Sequence, residues 1–138
     1  MKTGTIIIRI LALVVLMPTN VQADTALPPC PSSPNCVSSQ ADDRHRIEPF
    51  RITGDAGDAF EKLRKILSKR SDTKLINVDN TTIRVEFRTT LGFMDDGLFV
   101  LDASRGLIQI RSAARTGYWD LGKNRRRMEE IRKSFLAE

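Results

Sequence analysis

The seven residues Thr82-Ile83-Arg84-Val85-Glu86-Phe87-Arg88, TIRVEFR, alternate in character: Ile83, Val85 and Phe87 fall on one side, Arg84, Glu86 and Arg88 on the other. A period of two belongs to a β-strand. One apolar face and one charged face mark an antiparallel sheet with a core on one side and water on the other.

The pattern extends in both directions from this strand. Upstream, Asp79-Asn80 forms a turn and Lys74–Val78 a short strand. Downstream, Leu98–Leu101 is apolar throughout, which predicts a central strand, and Asp95-Asp96 before it fall in a turn. Ala103-Ser104-Arg105-Gly106 turns the chain, and Ile108 and Ile110 then alternate with Gln109 and Arg111. Earlier, Ile47, Phe50 and Ile52 suggest a first strand, with Pro49 placing it at an edge. A helix follows. Phe60, Leu63, Ile66 and Leu67 form its apolar stripe, and Asp58 caps it with Glu61 three residues on. A last helix ends near Leu136, with Leu121, Met128, Ile131 and Phe135 on one face. The order is β-α-β-β-β-β-α. The expected fold is α+β: a single antiparallel sheet of about five strands with two helices packed on one face. Helix-grip-like and ferredoxin-like strand orders both remain open.

The first 23 residues have the form of a secretory signal peptide. Lys2 and Arg9 precede an apolar run, Ile10–Met17, Pro18 breaks it, and Val21-Gln22-Ala23 offers a small-residue cleavage site. The run is shorter than the roughly 20 residues of a spanning helix, so no stable membrane span is expected after cleavage. An uncleaved, membrane-tethering segment is the alternative. The mature chain, from Asp24, should therefore be exported, periplasmic or extracellular. Residues 24–44 form a Pro- and Ser-rich extended arm, and 45–138 a single domain.

Export also bears on the two cysteines, Cys30 and Cys36 in CPSSPNC. In an oxidising compartment their simplest pairing is with each other. Two Cys and one distant His cannot build a structural zinc site, the spaced acids of a calcium loop are absent, and no metal or other cofactor is implied. Asn80-Thr81-Thr82 is a glycosylation sequon, relevant only in a host that glycosylates.

Charge is local. Residues 24–110 hold 12 cations and 13 acids, whereas 111–138 hold 8 and 4. The stretch RSAARTGYWDLGKNRRR, 111–127, contains six cations, one acid and the chain's single Tyr and single Trp. The modest total, in an exported chain, argues against nucleic acid as a partner. Arg125, Arg126 and Arg127 crowd the start of the last helix, where the backbone dipole disfavours cations by about 0.3–1 kcal/mol each. Pairs Arg125–Glu129, Arg126–Glu130 and Arg127–Glu130 return only about 0.2–0.5 kcal/mol each. A countercharge from elsewhere is needed: Asp95, Asp96, or a bound anion. Arg111 should pair across the sheet with Glu86. Ser112 falls on the apolar face, a core-edge residue bonded to backbone. His45, between Arg44 and Arg46, should be solvated.

Three motifs, CP-x-SPNCVSS (Cys30–Ser39), F-x-DD (Phe93–Asp96) and RSA-x-R-x-G-x-x-D-x-G-x-NR-x-R (Arg111–Arg127), together resemble the domain of unknown function 1499 family. Ala114 stands where a Ser is expected. The resemblance implies a small exported or membrane-associated domain and carries over no catalytic residue.

The expected function is a non-enzymatic domain of the cell envelope. It binds an anionic or lipidic ligand, or an envelope protein, through Arg115, Tyr118, Trp119, Asn124 and Arg127. One alternative is a purely structural network joining Arg111, Arg115 and Arg127 to Asp95, Asp96 and Asp120. Another is a hydrolase using Ser112 or the Asp95/Asp96 pair, although no G-x-S-x-G turn is present.

Overall fold

The structure, a computed structural model, describes residues 24–137; residues 1–23, for which a signal peptide is expected, lie outside the described residues. Its elements are β1 (Cys36–Ser38), β2 (Phe50–Arg51), α1 (Ala56–Lys69), β3 (Thr73–Val78), β4 (Thr82–Arg88), β5 (Met94–Asp102), β6 (Leu107–Ala114) and α2 (Lys123–Ala137). They form one antiparallel sheet, ordered β1-β6-β5-β4-β3, with β2 pairing the free half of β6 beside β1.

The alternation of TIRVEFR sets the layering. Ile83, Val85 and Phe87 point to the same side as Phe99, Leu101, Ile108 and Ile110, and both helices pack there. From α1 come Phe60, Leu63, Ile66 and Leu67, and from α2 Met128, Ile131 and Phe135. Gly97, in the middle of β5, makes room for this packing: a Cβ there would lie 2.4 Å from the ring of Phe87.

Several details differ from the sequence expectation. The sheet has six strands because residues 36–38, assigned to the extended arm, are β1, hydrogen-bonded along β6 with Cys36 opposite Ala113. Cys30 and Cys36 are joined in a disulfide, so the preceding segment is tied to this strand. That segment folds over the sheet's second face. Arg111 donates to the Pro29 carbonyl, Gln40 bonds the backbone of Thr25 and Leu27, and Leu98 and Val100 on this face are buried. The reason lies in β5, which is apolar on both sides and needs two covers.

Helix α1 starts three residues earlier than expected. Asp55, not Asp58, is its cap and accepts from the Asp58 amide at 2.9 Å, while Glu61 pairs with Arg64. His45 is buried rather than solvated, with Nδ1 against Asp43 and Nε2 3.0 Å from the Ser33 carbonyl. Its backbone and ring hydrogen bonds hold the Asp43 carboxyl below the usual carboxylate range. Asp95-Asp96 is not a turn, because β5 begins at Met94.

Candidate functional site

Two loops meet at one end of the sheet. The β4–β5 hairpin turns through Thr89–Phe93. The Thr89 amide donates to the Phe93 carbonyl, the Phe93 amide donates to Thr89 Oγ1, and Gly92 takes the left-handed conformation that closes the turn. This leaves Leu91 at the tip. Facing it is the β6–α2 connection. Asn35 donates to the Gly117 carbonyl, and Asp120 accepts from the Gly122 and Asn124 amides, both at 2.9 Å. Leu121 follows with φ +56°, a left-handed conformation rare for a side chain of its size. That strain turns Leu121 outward. It leaves the helix face to Met128, Ile131 and Phe135, which corrects the expectation that Leu121 belongs to that face.

Between the loops lies a cleft of about 530 Å³. Leu91, Phe93, Trp119 and Leu121 wall it, and they are 84%, 57%, 67% and 63% exposed. Lys123 and Arg126 form its rim, and neither makes an ion pair among the described residues. Arg126 donates one N–H to the Leu121 carbonyl.

Beneath the cleft is a closed polar layer. Asp95, on the helix side of β5, accepts from Arg127 Nη1 at 2.8 Å, and both side chains are buried. The Arg127 guanidinium rests on the Phe87 ring, 4.5 Å from its centroid. Asn124 accepts from Ser112 Oγ and from Arg127, and donates to Asp120 and to the Asn35 carbonyl. The polar residues of the 111–127 motif thus stitch β6, β5 and α2 together.

The five residues expected to form one binding surface are therefore dispersed. Trp119 is in the cleft wall. Tyr118 is exposed but lies outside the lining, and Asn124 and Arg127 are buried below it, a correction to their expected surface position. Arg115 crosses to the opposite sheet face, 2.7 Å from Asp96 and 2.5 Å from Glu86. Asp96 first and Glu86 second push its proton affinity further up. Arg111 does not pair with Glu86. It stands opposite Leu98, one step off the Glu86–Asp96–Ala113 row, and Arg115 reaches that row instead. Burial lowers the Arg111 pKa, with Asp96 acting against the shift.

The local pairs proposed for Arg125, Arg126 and Arg127 are replaced by others. Arg125 donates to the carbonyls of Arg46 and Arg44, Glu129 pairs with Arg132, and Glu130 lies 3.6 Å from Arg70. Ser112 is fully buried against Asn124, with no open approach to its hydroxyl. Asp95 and Asp96 lie on opposite faces of β5 and cannot act on one group. Sequence reasoning missed Leu91, Phe93, Leu121, Lys123 and Arg126 as neighbours. The one available signal was a large apolar residue at a hairpin tip, in TTLGF (89–93), where turns are normally polar.

No helix among the described residues is long and apolar enough to cross a membrane. None of the curated proteins and none of the solved structures matches the chain. A family model described as "Protein of unknown function (DUF1499)" matches residues 26–135, covering every strand and nearly all of α2. The chain, with its arginine-rich motif folded into the layer beneath the cleft, belongs to the DUF1499 family.

Proposed function

We propose that this is an exported envelope domain that holds the apolar chain of an anionic amphiphile in the cleft between residues 89–93 and 116–121. The observation that carries the proposal is the clustering of Leu91, Phe93, Trp119 and Leu121, all exposed, on one concave surface bordered by Lys123 and Arg126. Scattered exposed apolar residues need no explanation, but a contiguous apolar concavity with a few polar groups at its edge is how small-molecule sites are built. The volume of about 530 Å³ falls in the usual range of ligand cavities, ~300–1,000 Å³. The unpaired rim cations select an anionic head. The strain at Leu121 supports the same view, since such outliers persist where the surroundings enforce them, often at ligand sites. Export is supported by the form of residues 1–23 and by a disulfide compatible with an oxidising compartment.

Trp119, the single Trp, reports directly on the cleft. Titration with dodecanoate below its micellar concentration should shift Trp119 emission to the blue. Leu91→Asp and Leu121→Asp, both at exposed positions, should abolish the shift while leaving the melting temperature within a few degrees, because surface changes are usually worth about 0.5 kcal/mol or less. An emission spectrum indifferent to both dodecanoate and dodecyl phosphate, or a shift that survives both substitutions, refutes the proposal.

A further inference from the structure

Lys123 and Arg126 belong to two concavities. Besides the rim of the apolar cleft, they line a smaller recess of about 240 Å³ whose other walls are Arg70, Asp72, Arg127 and Glu130. Four cations and two carboxylates meet there, drawn from the α1–β3 connection and the first turns of α2. The carboxylates are engaged. Asp72 accepts two hydrogen bonds from Arg70, at 3.0 and 2.9 Å, and one from Thr73, and Glu130 lies 3.6 Å from Arg70. The cations are not fully used. Among the described residues, Lys123 and Arg126 have no acidic partner, and Arg127, 3% exposed, keeps its Nη2 buried without a hydrogen-bond acceptor. A buried N–H without an acceptor is costly, and an oxygen entering the recess would supply one. The recess also adjoins the first turns of α2, whose pole Asp120 already caps through the Gly122 and Asn124 amides, so the side-chain donors carry the site.

We infer that this recess takes a phosphate group, which makes the amphiphile of the cleft a single-chain phosphate ester rather than a fatty acid. The inference rests on the proposed function for its apolar half, while the recess stands on its own geometry. Donor number decides between the two head groups. Arg127 is already balanced by Asp95 but keeps one N–H without an acceptor, and Lys123 and Arg126 have no acidic partner among the described residues, so three separate side chains offer donors to the recess. A phosphate monoester presents three terminal oxygens to them, a carboxylate only two.

The test uses the mature chain with three probes: inorganic phosphate, dodecyl phosphate and dodecanoate. Inorganic phosphate alone should shift the amide resonances of residues 70–73 and 123–127 and leave the Trp119 indole unmoved. Dodecyl phosphate should bind at least about tenfold more tightly than dodecanoate by Trp119 emission, as expected for added charge-assisted hydrogen bonds. Lys123→Gln and Arg126→Gln, separately, should each reduce that ratio and weaken the phosphate-induced shifts. Equal binding of the two amphiphiles, with no response to free phosphate, overturns the phosphate site and leaves the amphiphile proposal standing. A response to free phosphate with neither amphiphile moving Trp119 supports the recess and overturns the cleft.

Discussion

Arg127 and Asp95 illustrate what one residue's surroundings decide. Both are buried, 2.8 Å apart, and Asn124 adds a third partner. Removing one member of such a pair leaves an uncompensated buried charge, which typically costs about 3–5 kcal/mol, whereas replacing both with apolar groups is often near neutral. Arg127→Met alone and Asp95→Leu alone should each lower the unfolding free energy by about that amount. The double variant should recover most of the loss, measured by urea denaturation in a double-mutant cycle. Single losses that simply add would show that the two residues do not act as a pair. That the helix start needed a countercharge was legible in the sequence, and Asp95 was among the candidates. The depth of the pair was not, because spacing arguments reach one helical turn and Asp95 is 32 positions away. His45 was misjudged for a related reason: its polar neighbours in sequence gave no hint that the Ser33 carbonyl would come to meet it.

At the scale of the element, α2 shows how a helix that begins with cations is made tolerable. Asp120 receives the Gly122 amide and both the amide and side chain of Asn124, placing a carboxylate on the positive pole. Asp120→Ala should destabilise the domain by about 0.5–2 kcal/mol, the usual cost of losing a cap. Asp120→Asn should cost less, since it retains an acceptor oxygen. Thermal unfolding of the two variants checks this, and equal losses would place the effect in charge alone. Elements with strong periodicity were read correctly: β4, the apolar stripe of α1, and the Met128–Ile131–Phe135 face of α2. Those fixed by distant pairing were not. β1 is three residues long and owes its existence to β6, so nothing in CVS distinguishes it locally. The start of β5 was hidden because consecutive aspartates normally punctuate turns, whereas here each meets an arginine on its own side of the sheet.

For the molecule as a whole, the sheet has helices on one face and the disulfide-tied segment on the other. Replacing Cys30 and Cys36 together with Ser should lower stability by about 2 kcal/mol, as expected for a short closed loop. The same change should speed amide exchange across residues 24–40 far more than in β4 or α1. Uniform acceleration throughout the chain would mean that the bridge constrains the whole fold rather than this cover. The layering of the fold followed from seven alternating residues. The binding cleft did not, because it is made by two loops that a one-dimensional pattern cannot bring together.

The pairing of β1 with β6 has a consequence for assembly. The first strand of the domain lies along the last, with β2, α1, β3, β4 and β5 between them in the chain. The hairpins β3–β4, β4–β5 and β5–β6 close over short loops and can form as each arm emerges. Cys36–Ser38 must wait, unpaired, until β6 is complete. During synthesis an early-made strand is thus a late piece to dock, and any factor that handles the nascent chain meets it while its hydrogen-bonding edge is still open.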